Sequence, residues 1–408
     1  NCGFSAIPFD PESDPRKASG GILSGLNGAF TDLSGYFDAV LAGAPAINNM
    51  MLVGHNTIRS LVMDDPKQAP SQRDLKAMSG HVERALEQGA CGFSTGLIYH
   101  PGRYSQTEEI VALAELAGRT GALYTTHMRN EGDHLLDAVE EALRIGVEAK
   151  VHTHISHHKA AGAANWGKVV PSLARIDAAI AAGQRVSLDV YPYTAGSGRM
   201  IEYFNLDRIN RDLAEVIRIA SCPAYREYEG QMLKDIAKAQ DVDITDLVRD
   251  ILTAPRGADT ICIQFIIDEQ DVEHNLRWRD MMVGSDGIPN LRGKPHPRLY
   301  GTFAKILGYY VRERALMSLP EAIRRMTSLP AATFGMTQRG MVRAGFKADL
   351  LLFDPATVQD TATYDEPQQL AAGIRTVLVN GKIAWQDGQH QMTGSGQMLK
   401  YRAGAYAG

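Results

Sequence analysis

Two segments carry histidines where a catalytic site could use them. Tyr124-Thr125-Thr126-His127-Met128-Arg129-Asn130-Glu131 closes one apolar, β-branched run, and Ile155-Ser156-His157-His158-Lys159 closes the next. One histidine at each of two adjacent parallel strand ends places two imidazoles at a single mouth. That suits a catalytic metal, which needs few protein ligands and an open position. Period two puts His157 and Lys159 on one face and His158 on the other, but the Ser156-His157 junction can break the alternation, so His158 stays a rival ligand. The pair His152 and His154 lies inside its run and reads as packing. Asp286, in Met282-Val283-Gly284-Ser285-Asp286-Gly287, ends another apolar run. A carboxylate there can touch a metal-bound water and shuttle its proton, although Asp-Gly is also common turn chemistry. Cys2 is followed by Gly3. Its thiolate would be a strong zinc ligand, but taken alone it reads better as a buried small hydrophobe, as does Cys91 in Ala90-Cys91-Gly92-Phe93. Lys159, Arg298 and Tyr191 could clamp an anion. A tyrosine hydroxyl near a metal can also stabilise a carbonyl oxygen as charge develops.

These residues need a scaffold that delivers strand ends to one place. Apolar runs at 47–55, 90–97, 122–127, 150–156, 185–193 and 280–285 alternate with helical patterns at 71–88, 107–120, 132–148 and 165–182. That rhythm predicts βα units around a parallel sheet. Polar residues (His55, Ser94, His127, His157, Tyr191, Asp286) fall at successive strand ends, and a (β/α)8 barrel aims all of its strand ends at one mouth. Residues 205–274 turn mainly helical and charged and read as an insertion, a lid over that mouth. After Gly335 the character changes to short strands with Gly turns, at 340–354 and 374–385. The expected domains are therefore a catalytic barrel over 1–335 and a small β-sandwich with a C-terminal tail over 336–408, the tail from 394 fraying.

The chain has 408 residues, with 42 Lys+Arg against 47 Asp+Glu and a net charge of −5. That balance excludes a dominant basic nucleic-acid surface. No apolar run reaches the roughly 18 residues of a membrane span. Four scattered cysteines exclude a disulfide scaffold and point to a reducing, cytoplasmic setting.

Taken together, NCGFS at 1–5, GHNTIR at 54–59, GFSTGLIYHPG at 92–102, THMRNEG at 126–132, ISHHK at 155–159, DVYPYTAGSG at 189–198, MVGSDG at 282–287, HPRLYGTF at 296–303 and GMVRAGFKADLLLFD at 340–354 resemble the N-acyl-D-amino-acid deacylases of the amidohydrolase superfamily. The likeness covers nearly the whole chain, and the ISHHK, YPY and HPR-x-x-GTF set is its most specific part. It implies a (β/α)8 barrel with a small β-sandwich, and zinc held by Cys2, His127 and His157, preferring His157 over His158. It also implies Asp286 as the catalytic carboxylate, with Lys159, Tyr191 and Arg298 on the substrate carboxylate and Tyr99 as a further site tyrosine. The implied reaction is zinc-dependent hydrolysis of a small N-acyl-D-amino acid to a D-amino acid and a carboxylate. The family also carries an HxH motif on its first barrel strand, ahead of NCG. This sequence opens at Asn1 in NCG, so the expectation is a fragment of a longer product whose barrel lacks that strand. Two alternatives follow: an inactive truncated barrel, or a ring-opening amidohydrolase of the hydantoinase or dihydroorotase kind, for which no metal-bridging lysine stands at a strand end. Arg199, soon after the YPY run, could meet an acidic substrate side chain.

Overall fold

The computed structural model describes residues 2–9, 30–289 and 292–401. The chain runs through β1 (Val53–Gly54), β2 (Gly92–Gly96), β3 (Leu123–His127), β4 (His152–Ile155) and β5 (Val186–Val190). It then passes β6 (Gly196–Arg199), β7 (Ile217–Ser221) and β8 (Ile261–Gln264), and returns through β9 (Met281–Val283) before β10 (Leu350–Phe353), β11 (Ile374–Val379), β12 (Lys382–Gln386) and β13 (Gln389–His390). The central sheet has the order β1-β2-β3-β4-β5-β9. Every pairing in it is parallel, with Gly96 opposite His127, Thr126 opposite Ile155 and Val190 opposite Val283. Each expected strand run contributes one of these strands, so the βα architecture of the amidohydrolase barrel is present, six strands wide among the described residues.

Local chemistry explains the helices between them. Gln72–Glu87 starts at a reciprocal capping box between Ser71 and Asp74. Thr107–Thr120 stops at Gly121, whose φ of 75° is a left-handed cap. Its buried residues Ile110, Leu113, Ala114 and Ala117 follow the helical period and seal one face against the sheet. Two apolar clusters cover the sheet. One is built around Phe93, Val82 and Leu113, the other around Leu188, Ile176 and Ile306. No helix among the described residues is long and apolar enough to cross a membrane.

Four expectations are corrected. The first apolar run is strand for only two residues, and His55 opens the helix His55–Val62. Its Nε2 lies 2.8 Å from Glu109 Oε1, and Glu109 also pairs with buried Arg59, so His55 belongs to a structural ion cluster rather than to the mouth. The segment 205–274 is mostly helical in its regular structure, but it is not a helical insertion alone. It holds helices Arg211–Glu215, Leu233–Gln240 and Ile244–Thr253, but β7 and β8 join β6 in an antiparallel sheet of order β6-β8-β7 with its own apolar cluster. Strands of four or five residues are too short to declare a period within charged surroundings. Within 340–354 only β10 is strand. The tail is docked as far as Tyr401: Leu399 N donates to Asn49 O at 2.7 Å and Tyr401 Oη to Gly121 O at 2.6 Å. Residues 402–408 lie outside the described set.

The C-terminal unit is the antiparallel sheet β10-β11-β12-β13. Asn380-Gly381 and Asp387-Gly388 join its last three strands with positive φ at all four residues, the chemistry of two-residue hairpin turns.

Phe93 shows how the sheet depends on side-chain fill. It is fully buried, edge-on to His55 and stacked at 6.2 Å on Tyr124. Phe93→Ala should destabilise the protein by about 3–5 kcal/mol, read from the urea midpoint. A loss under about 1 kcal/mol would show that β2 is not part of the stabilising core.

Candidate metal centre and its cavity

His127 ends β3 and is buried. His157 follows β4 in a tight turn whose φ of 42° is left-handed. Asp189 makes that turn possible: its Oδ1 accepts from His157 N at 2.6 Å while its Oδ2 sits 2.8 Å from His154 Nε2. His154 Nδ1 in turn lies 3.0 Å from Ser187 Oγ, so this histidine is interior packing. His158 is buried with both nitrogens engaged, Nδ1 at 2.7 Å from Asn275 Oδ1 and Nε2 at 2.7 Å from Ser172 Oγ. Nothing of it is left for a ligand at the mouth.

Cys2 reaches the same point from a different part of the chain. Gly3 N donates to Ser94 Oγ at 3.1 Å and Gly3 O accepts from Asn56 N at 2.8 Å, which ties Cys2-Gly3 to β2 and to the first turn of the helix His55–Val62. A Cβ on Gly96 would strike the Cys2 carbonyl oxygen, so only glycine there permits the approach. Cys2 Sγ lies 3.3 Å from His157 Nε2, and the His127 and His157 rings are 4.4 Å apart. Ligand atoms of Cys2, His127 and His157 all lie within 4.8 Å of one another. Sulfur and imidazole donors around a tetrahedral zinc sit about 3.5 Å apart. The donor types and spacing therefore fit zinc. His127 Nε2 adds to that fit: it is buried and has no hydrogen-bond partner, Glu131 Oε2 standing 3.4 Å off without hydrogen-bond geometry. Its other nitrogen is fixed by Tyr99 Oη at 3.2 Å, the outer partner that orients a metal-binding imidazole.

Glu131, a residue of THMRNEG to which the sequence alone assigns no role, organises the centre. Its Oε1 lies 2.5 Å from Lys159 Nζ and 3.0 Å from His157 Nδ1. Burial pushes its carboxyl up, but His127, Lys159 and His157 outweigh burial and hold it well below the ordinary range. Burial and Lys159 press His157 down, but Cys2 and Glu131 prevail and raise it to about 10. Burial would raise the Cys2 thiol, yet the positive charge on His157 brings it down to about 5. The position four residues after His127 was the available signal for Glu131. Asp189, 32 residues from the turn it supports, offered none.

Tyr99, Lys159, Tyr191, Asp286 and Arg298 line one cavity of about 800 Å³ together with His127 and Glu131. Asp286 has a φ of 46°, so Cys2 (39°), His157 and Asp286 all sit in the left-handed region. Such strain persists where surrounding structure over-determines it, typically at functional sites. Asp286 Oδ2 pairs with Arg298 Nη2 at 2.8 Å. Arg298 is buried, spans the Tyr191 ring at 4.5 Å and gives a second bond to Ser197 O at 3.2 Å, but its Nε and Nη1 have no partner. Arg199 is not at the cavity, since both its Nε and Nη2 donate to Ala258 O. β8 and its neighbours add Tyr203, Gln264 and Phe265 to the wall.

The Amidohydrolase family profile matches residues 176–384. A D-aminoacylase of Alcaligenes xylosoxydans xylosoxydans is 41% identical over 394 residues, covering 96% of this chain and 78% of that protein. An N-acyl-D-glutamate deacylase of the same organism is 42% identical over 381 residues, covering 93% and 75%. Among solved structures, the N-acyl-D-glutamate deacylase of Bordetella bronchiseptica, in complex with zinc and a phosphonate mimic of the tetrahedral intermediate, superposes with a TM-score of 0.89 at 41% identity, covering 98% of this chain and 81% of that one.

Two measurements test the centre. Cys2→Ala should lose at least tenfold in zinc affinity by metal analysis after dialysis, whereas His158→Gln should keep its zinc. The reverse ranking would assign the site to the wrong histidine. In metal-free protein the lowered Cys2 pKa means that the thiolate persists at neutral pH and is lost as pH falls through about 5. Iodoacetamide should therefore label Cys2 at pH 7, and His157→Ala should move the inflection upward. Cys91 and Cys262, which burial pushes up to about 12, should stay unlabelled by mass spectrometry.

Proposed function

Because the chain belongs to the amidohydrolase family, on the branch of the D-aminoacylases and N-acyl-D-amino-acid deacylases, we propose that its cavity binds an N-acyl-D-amino acid and cleaves the amide bond. The protein is a zinc-dependent hydrolase releasing a D-amino acid and a carboxylate. The observation that carries the assignment of roles is the buried Arg298 guanidinium with two unpartnered donors, in a cavity that is also lined by His127 of the candidate metal centre. Buried cationic donors left unpaired are costly, and a substrate carboxylate can accept a charge-assisted hydrogen bond from one of them.

Cys2, His127 and His157 would hold the zinc. When bound, zinc supplies Lewis-acid activation of the attacking water and of the acyl carbonyl. Arg298, Lys159 and the Tyr191 hydroxyl fix the α-carboxylate, and that anchoring sets the scissile amide against the metal centre. The α-carboxylate would join Asp286 on Arg298, whose Nη2 Asp286 already holds. Asp286 takes the proton of the attacking water and delivers it to the leaving nitrogen. Tyr99 holds the His127 ring through Nδ1. Burial raises the Tyr191 hydroxyl above its usual range, so it stays protonated and able to donate to developing charge. We place the enzyme in the reducing cytoplasm, on the support of four cysteines that are all unpaired.

Asp286→Asn should lower kcat by roughly 10²–10⁴-fold with zinc content unchanged. Near wild-type kcat would remove Asp286 from the chemistry. Arg298→Met should raise KM for an N-acetyl-D-amino acid at least tenfold. Turnover of a hydantoin in place of the linear acyl amino acid would shift the assignment to ring opening.

A further inference from the structure

The residues alone do not show which substrate side chain is taken, and the relatives named above include both a D-aminoacylase and an N-acyl-D-glutamate deacylase. The charge map of the cavity separates these possibilities. Among the described residues, Lys159 and Arg298 are the two lysine or arginine side chains that line it. Both are committed: Lys159 rests on Glu131, and Arg298 faces Asp286 and the α-carboxylate position. Arg103, Arg129 and Arg199 do not line the cavity and are engaged elsewhere. Arg199 donates to Ala258 O, Arg103 pairs with Glu202 at 3.1 Å, and Arg129 pairs with Glu141 at 2.8 Å. The rest of the wall carries no cation: apolar Ile98, Trp166, Leu213, Val216, Phe265 and Ile266 alternate with neutral amides and hydroxyls and with carboxylates. The acidic side chains on the outer wall, Asp133 and Asp212, are exposed at its edge.

We infer that the side-chain subsite takes an uncharged, apolar D-side chain and rejects a D-glutamyl or D-aspartyl one, an inference that rests on the deacylase reading of the site. An acidic side chain entering this pocket loses its hydration, finds no free cation, and passes two aspartates on the way. Desolvating a carboxylate without a partner costs far more than a missing methylene. Specificity here comes from exclusion of charge as much as from apolar contact.

The test compares kcat/KM of the zinc-loaded protein for N-acetyl-D-leucine, N-acetyl-D-glutamate and N-acetyl-D-aspartate. The leucine substrate should be favoured at least thirtyfold over either acid, and a smaller ratio overturns the inference while leaving the deacylase reading intact. Leu213→Arg, on the part-exposed short helix Arg211–Glu215, should reduce the leucine-to-glutamate ratio at least tenfold; an unchanged ratio would show that Leu213 does not face the side chain. If none of the three is hydrolysed, the deacylase reading fails. Calorimetric binding of the same three compounds then still decides the pocket, with tighter binding of the glutamate compound counting against it.

Discussion

A carboxylate, an ammonium, two imidazoles and a thiol meet in the space where β3 and β4 end, nearly all of them out of contact with water. Charges in such surroundings are tolerated only when each is matched by a neighbour, and Glu131 is the member that matches most of them. It touches Lys159 and His157 and stands beside His127. Cys2 and Glu131 together raise His157, and the charge on His157 in turn lowers the Cys2 thiol. The geometry follows from the pairing with Glu131, because a lysine held by Glu131 cannot swing out of the cavity and a histidine held at Nδ1 presents Nε2 to the thiolate. The polar centre fixes where the metal can sit, and the barrel wall fixes the polar centre.

Backbone constraints carry the same arrangement outward. Cys2, His157 and Asp286 adopt a conformation that side chains other than glycine's resist, and each is tied down by a partner from a different element. Asp189 ties the His157 turn to β5, the stacked backbones of Gly3 and Gly96 tie Cys2 to β2, and Arg298 ties Asp286 to the helix Arg298–Lys305. The strain is sustainable because the parallel sheet beneath is buried on both faces and does not yield. A solvated loop could not hold three such residues around one site.

The insertion lines the cavity without supplying a candidate zinc ligand. It contributes Leu213, Val216, Phe265 and Ile266 beside Asn210, Asp212 and Gln264, while Glu131, Lys159 and Asp286 come from the barrel ends. The reacting groups are set by strand ends that cannot shift, and the side-chain pocket is set by a segment with its own core that can change independently.

Much of this was legible in the residues. The six parallel strands announced themselves as apolar runs because a sheet buried on both faces needs them, and the helix Thr107–Thr120 was readable to its last residue because its apolar period and its glycine stop coincide. His127, His157 and Asp286 were visible as polar residues just past those runs. Cys2 was visible only through the family's motif, since one cysteine before a glycine has no period to betray it. The role of Glu131, the use of Asp189 as the support for a strained turn, the diversion of His55 into an ion cluster with Glu109 and Arg59, and the removal of Arg199 from the cavity were decided by tertiary structure alone. Each depends on a contact between residues far apart in the chain. Local sequence sets the conformation of an element and the face it buries, whereas the partner that meets a polar side chain across the barrel is chosen only when the strands close side by side.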